Sequence, residues 1–252
     1  MFYFDEIDGR KILRSDLIKN AQAFFTTREI CICNKTAPTP APSLIRKGEI
    51  LENKELIADY LKIEQKNLIS PIQTHSVNVR TLVENQFEYY DTDGLILTNK
   101  TNAIFLNFAD CTPLIFYDVK QNIGAVSHAG WRGTAGMIAK ITAQKLIKEC
   151  HSNPDDICVL IGPAIGQCCY NVGEEVFEKL KSTVEDFEGL YRKDSDSVYV
   201  DLKNINRKQL TEIGIKKIDI CPYCTCCYNK YFYSYRKENG TTYRHSAVLK
   251  LA

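Results

Sequence analysis

Histidine, tryptophan and methionine are scarce in this chain, with 4, 1 and 2 residues among 252. Chemistry that needs imidazole therefore has few places to sit. No His-x-His pair occurs, which excludes the histidine-rich trinuclear cluster of an oxygen-reducing copper enzyme. An excess of charge is also missing: 32 Lys plus Arg face 31 Asp plus Glu, a formal net charge of +1. No bulk field then recruits nucleic acid or an anionic membrane, and neither is expected as a partner. Apolar runs stay shorter than a signal h-region or a membrane span, so a cytoplasmic location is expected. Internal repeats and low-complexity tracts are absent. Cysteine is the exception to this scarcity. An odd count, 11, in a chain without an export signal points to thiols, some of them metal-bound, and not to a disulfide scaffold.

Length and 44% hydrophobic content allow one full core, and a single domain over 1–252 is expected. Pro38, Pro40 and Pro42 make Asn34 to Glu49 a mobile loop or flap. Strand-like runs are "DGLILTN", "AIFLNF", "PLIFYD", "IGAVSH", "ICVLIG", "VYVDL", "KIDIC", "KYFYSY" and "HSAVLKL". An apolar stripe from Ala135 through Ile138, Ala139, Thr142, Ala143, Leu146 and Ile147 to Cys150 predicts an amphipathic helix on a sheet. "VGEEVFEKLKSTVEDF" and "LKNINRKQLTEIG" predict two more, the second capped by Gly214. Consecutive strands with isolated helices read as α+β.

"AVSHAGWRGTAGM", residues 125–137, then places His128 at a strand-to-helix turn. Gly130 and Gly133 are expected to let the backbone approach a ligand, with free N–H groups favouring an anion. A phosphate cradle, a catalytic histidine and a metal ligand remain open there. His75 and Cys111 share its context, each at the end of an apolar strand. Two imidazoles and a thiolate from three strand ends would form a three-ligand zinc site with an open position for water or a substrate oxygen. Core histidines and a packed thiol are the alternative. His151 reads as solvated, and His245 is ambiguous. A rival cluster, Cys221, Cys224, Cys226 and Cys227, supplies a C-x-x-C half-site that Cys168 and Cys169 complete only through folding.

Taken in order, "QTHSVNV", "DGLILTN", "NFADCTPLIFYD", "SHAGWRGT", "IGPAIGQCCYNVGEEV", Cys224-Thr225 and "FYSYRKENGTTYRHSAVL" resemble the YfiH/YlmD family, also called the polyphenol oxidase laccase-domain proteins. The resemblance implies a single-domain α/β/β/α layered sandwich, akin to a bacterial toxin deamidase domain, with metal held at His75, Cys111 and His128. It further implies phosphorolysis of purine nucleosides (adenosine, inosine, guanosine, methylthioadenosine) and deamination of adenosine. Zinc is the expected metal, with copper possible at the same site. Purine nucleosides and phosphate are the expected partners, and the assembly a monomer or weak homodimer. Arg132, beside the glycine turn, is the first candidate for phosphate. Arg244, matching the arginine of the family's "TGR", is the second, with a strand-end salt bridge as its other reading. Asp93 and Asp110 are expected to orient the imidazoles, and Trp131 to pack the helix on the sheet. Two other readings stand beside this one: a copper-binding polyphenol oxidoreductase, and a metal-free cysteine hydrolase using Cys111 and His128.

Overall fold

A computed structural model of the chain describes residues 1–33 and 47–252. Most of the proline-rich stretch, expected as a loop or flap, lies outside the described residues. Two six-stranded sheets form the body. The first runs β1 (Phe2–Ile7), β2 (Arg10–Ser15), β3 (Gln22–Thr26), β15 (His245–Lys250), β7 (Ala103–Phe108) and β4 (Leu68–Ile69). The second runs β14 (Lys217–Ile220), β10 (Ile157–Ile161), β8 (Thr112–Asp118), β9 (Ile123–Ala129), β6 (Gly94–Leu97) and β5 (Val79–Thr81). A small third sheet joins β11 (Asn171–Val172), β13 (Ser197–Val200) and β12 (Tyr191–Asp194). Helices are α1 (Lys47–Leu61), α2 (Trp131–Ala135), α3 (Ile138–Glu149), α4 (Glu174–Lys181) and α5 (Leu202–Thr211).

The period-two alternation of strand side chains builds the layers. In β8, Ile115 and Tyr117 point between the sheets, while Leu114 and Phe116 point outward. Leu13, Phe25, Leu106 and Leu249 of the first sheet meet Leu95, Ile115, Val126 and Leu160 of the second. On the outer faces, Phe24, Phe105 and Val248 pack against Ile57 and Leu61 of α1. Ile96, Phe116 and Val159 pack against Ile138, Ala143 and Leu146 of α3 and Leu210 of α5. The layering is α/β/β/α, as expected. Burial on both faces is why these strands read as unbroken apolar runs.

Several local expectations are corrected. "KYFYSY" forms turns, because Tyr231 and Phe232 both donate to the Tyr228 carbonyl at 2.9 and 3.2 Å while their neighbours bury into separate clusters. The helix after Trp131 is two helices, split where Met137 takes φ 59°. The helix expected to reach Phe187 ends at Lys181, and α5 is capped by Glu212, with Gly214 in the left-handed region two residues later at φ 90°. The N-terminal strands escaped the sequence reading. Their signal was Asp8-Gly9, whose φ of 50° and 71° fits a two-residue hairpin turn.

His245 opens β15 fully buried, its ring 6.3 Å from that of Phe108 and 5.4 Å from that of Phe232. Burial pushes its imidazole down to about 3, although the Pro163 carbonyl favours the charged ring. A depressed imidazole is neutral when folded and takes up a proton only when unfolded. Stability is therefore intact above pH about 6.5 and falls by up to about 1.4 kcal/mol per unit as the pH drops toward 3. His245→Phe is expected to flatten thermal denaturation midpoints across that window relative to the wild type. Parallel curves for the two proteins would mean that His245 is protonated inside the fold.

Candidate metal centre and active site

The β6–β9 pairing, Gly94 opposite Ser127, sets Asp93 beside His128. The His128 N–H donates to the Asp93 carbonyl at 2.8 Å, and His128 Nδ1 lies 2.7 Å from Asp93 Oδ1. The same carboxylate accepts from the N–H groups of Thr74, His75 and Ser76 at 3.0, 3.1 and 2.7 Å. It thus fixes the loop that carries His75. That loop corrects one expectation: His75 is not at a strand end but in a turn before β5, at φ 65°. Cys111 sits in the turn from β7 to β8, next to Asp110 at φ 83°, and the pairing of Thr112 with Ala129 brings it to the end of β9.

The donor atoms of His75, Cys111 and His128 all lie within 4.8 Å of one another. Cys111 Sγ is 4.0 Å from His75 Nε2. One zinc ion with Zn–S and Zn–N bonds of about 2.3 and 2.0–2.1 Å spans that gap, and His128 has Nε2 left to offer because Asp93 holds Nδ1. The three residues fit a single tetrahedral ion with one open position. They do not fit a multi-copper cluster, since His151 is exposed at φ 55° beyond α3 and His245 is buried in an aromatic cage.

The electrostatics agree with a cation site. Burial raises the Cys111 thiol, but the charge and hydrogen bonds of His128 and His75 bring it down to about 6. Burial lowers His128, yet the Cys111 charge and the Asp93 carboxylate push it up to about 9. Burial likewise raises Asp93, and the His128 hydrogen bond and charge with the Thr74 and Ser76 N–H groups outweigh it to leave the carboxyl at about 2.

A cleft of about 750 Å³ opens over these residues, within the size range of small-molecule sites. Arg132 and Arg244 both line it. The Arg132 guanidinium is exposed and lies 4.3 Å over the Trp131 ring, which packs against α4, α5 and the small third sheet and not, as expected, between its helix and a main sheet. Arg244 forms no ion pair among the described residues and donates instead to the Tyr243 carbonyl at 2.7 Å and the Thr241 carbonyl at 2.5 Å.

Asp110 corrects another expectation. It does not touch an imidazole, because its left-handed backbone turns the carboxylate toward Thr225 Oγ1, at 2.6 Å, and the Arg236 N–H, at 2.7 Å. Arg236 and Tyr170 also line the cleft, and neither was singled out from the sequence. The only signal for Arg236 was its place in "FYSYRKENG". The glycines are closely packed against the site. A Cβ on Gly130 would stand 2.8 Å from Cys111 Sγ and 3.3 Å from His75 Cδ2, and one on Gly133 would stand 2.9 Å from the His128 carbonyl. They clear room for the ligands and the turn itself. In the rival cysteine cluster, Cys221 is buried in the inter-sheet core, and the residues that converge are Cys168, Cys169, Cys224 and Cys227.

The family described as multi-copper polyphenol oxidoreductase laccase matches residues 45–252. Purine nucleoside phosphorylase YlmD of Geobacillus stearothermophilus is 33% identical over 216 residues, covering 81% of this chain and 79% of its own. Adenosine deaminase RL5, from an unknown prokaryotic organism, is 30% identical over 211 residues, covering 77% and 80%. The crystal structure of Bacillus licheniformis YfiH superposes with a TM-score of 0.87 at 28% identity, covering 99% of each chain.

Gly130→Ala and Asp93→Asn should each weaken zinc binding by about 10–100-fold, as changes behind metal ligands do. Competition against a chelating dye measures this. Wild-type affinity in both variants would mean that the three donors do not act as one site.

Proposed function

We infer that this chain, which belongs to the YfiH/YlmD laccase-domain family, is a cytoplasmic, zinc-dependent purine nucleoside phosphorylase that also deaminates adenosine. The observation that carries the reading is the convergence of His75, Cys111 and His128 on the floor of a cleft edged by Arg132 and Arg244. Relatives named for both activities support it.

In phosphorolysis a phosphate oxygen bonds C1′ as the C1′–N9 bond breaks, and the electron pair leaves with the purine, which takes up a proton. Positive charge grows on the sugar in between. Arg132 can take two phosphate oxygens at once, and Arg244 supplies a second cation to the lining of the same cleft. In deamination, water adds at C6 and ammonia departs. When bound, a zinc ion supplies Lewis acidity toward an oxygen atom at that floor. The protein's part is to hold the donors fixed. Asp93 keeps His128 in the tautomer that leaves Nε2 free, and the apolar side chains of Ile72, Ile165 and Leu202 give the purine a dry wall.

The experiment is chromatography of adenosine incubated with the protein, with and without phosphate. Adenine and ribose 1-phosphate are expected only with phosphate, and inosine without it. Cys111→Ala should lower both by at least about 100-fold. Arg132→Ala should raise KM for phosphate about tenfold, a loss of about 1.4 kcal/mol, and leave deamination unchanged. Adenosine that stays intact throughout would sink the purine assignment. Turnover that survives a chelator but not alkylation would replace it with the cysteine hydrolase.

A further inference from the structure

The strands β10 and β14 lie side by side and parallel, so the turns that follow them leave the sheet together. The register continues beyond the strands: Ala164 bridges Cys224, and the Thr225 N–H donates to the Ala164 carbonyl at 3.0 Å. The first turn carries Cys168 and Cys169, closed by Cys169 and Tyr170 N–H groups on the Gly166 carbonyl at 2.9 and 3.0 Å. The second carries Cys224 and Cys227, closed by the Tyr228 N–H on the Cys224 carbonyl at 2.8 Å. Four thiols from two turns thus meet in one place.

Their sulfurs all lie within 4.8 Å of one another, with Cys227 Sγ at 3.6 Å from Cys168 Sγ and 3.5 Å from Cys169 Sγ. None is in a disulfide. Four thiolates around one ion at Zn–S bonds of about 2.3 Å have edges of about 3.8 Å, close to these separations. Two further features suit an ion and not a packed core. Cys168 and Cys227 are exposed, where thiols gain nothing from burial. The Gly166 N–H donates to Cys224 Sγ at 3.2 Å, a bond that favours the anionic sulfur. Gly166 also leaves the cluster its space, since a Cβ there would stand 3.2 Å from Cys224 Cβ and 3.3 Å from Cys168 Sγ.

We propose that Cys168, Cys169, Cys224 and Cys227 bind a second, structural zinc ion that staples the two turns together, separate from the His75–Cys111–His128 centre. The staple bears on the cleft. Thr225, between the two cysteines of the second turn, donates to Asp110, the neighbour of Cys111, at 2.6 Å. Ile165, just before the first turn, donates its N–H to the Asp110 carbonyl at 2.9 Å. The ion therefore acts on Cys111 only by position, and its four ligands close the coordination sphere against substrate.

Zinc content decides the matter, in protein purified from zinc-supplemented cultures and dialysed into metal-free buffer. The wild type should carry an ion beyond the one at Cys111. In Cys111→Ser the content should fall about twofold, with only sulfur scatterers at about 2.3 Å in the zinc X-ray absorption of what remains. In Cys168→Ser/Cys227→Ser it should also fall about twofold. Should the double variant fail to fold, alkylation of the wild type followed by peptide mapping decides: the four thiols should resist the reagent until a chelator is added. Nitrogen scatterers in Cys111→Ser, a metal-free Cys111→Ser, or four thiols alkylated equally fast with and without chelator would each overturn the proposal. Since Cys111→Ser removes only the first centre, loss of its nucleoside activity with the second ion retained separates the two readings.

Discussion

The buried carboxylate of Asp93 is the constraint on which the site depends. It is fully buried and accepts hydrogen bonds from a chain segment on each side: Thr74, His75 and Ser76 from one loop, His128 from β9. Taking a carboxylate out of water costs several kcal/mol, and charge-assisted hydrogen bonds return about 1.5–3 kcal/mol each. That balance closes only if the loop stays folded around the group. The left-handed backbone at His75 persists for the same reason, because an extended residue there would withdraw its N–H from Oδ1. One anion therefore fixes two imidazoles whose ring centroids are 4.8 Å apart, although 53 residues separate them in the chain (128 − 75).

The cations are held differently. Arg236 is anchored by its side chain on Asn171 and the Cys169 carbonyl and by its backbone on Asp110, so it belongs to the wall. Arg132 stacks on the face of Trp131, and such a stack at an exposed position is worth about 0.5–1 kcal/mol. A ligand anion competes easily for a guanidinium held that loosely. The donors are thus held by a hydrogen-bond network while Arg132 is held by a ring stack, which makes the cation the more adjustable of the two.

Legibility of the fold followed the period of the apolar pattern. Strands buried on both faces, such as β8 and β10, announced themselves, and the stripe from Ile138 to Cys150 gave α3. What failed was apolar sequence that buries without pairing: Phe232 and Tyr233 go to different clusters from one turn, so "KYFYSY" looks like a strand and is none. The charge-dotted β1 and β2 failed in the opposite direction, their hairpin written only in Asp8-Gly9. At the site, residue type and neighbours made His75, Cys111 and His128 candidates, and the resemblance to the YfiH/YlmD family favoured them over core histidines and a packed thiol. Convergence itself was not legible, because spacings of 36 and 17 residues encode no contact until sheet register supplies it. Asp93 was expected as a partner that orients the imidazoles, whereas Arg236 needed the third dimension.

Asp110 completes the logic by doing for the thiol what Asp93 does for the imidazoles. Its carboxylate is nearly buried and is held by Thr225 and Arg236, and its carbonyl is held by Ile165. Ile165 and Thr225 follow β10 and β14 and Arg236 lies in the turns before β15, whereas everything around Asp93 comes from β6, β9 and the loop before β5. The two halves of the centre are thus braced by separate parts of the fold, and they meet where Cys111 faces both His128 and His75, with Sγ 4.0 Å from His75 Nε2. A gap between two independently braced halves is where a shared ion contributes most, because it converts two local arrangements into one. The proposed staple at Cys168, Cys169, Cys224 and Cys227 falls on the Asp110 side of that division, because Thr225, between Cys224 and Cys227, donates to the Asp110 carboxylate.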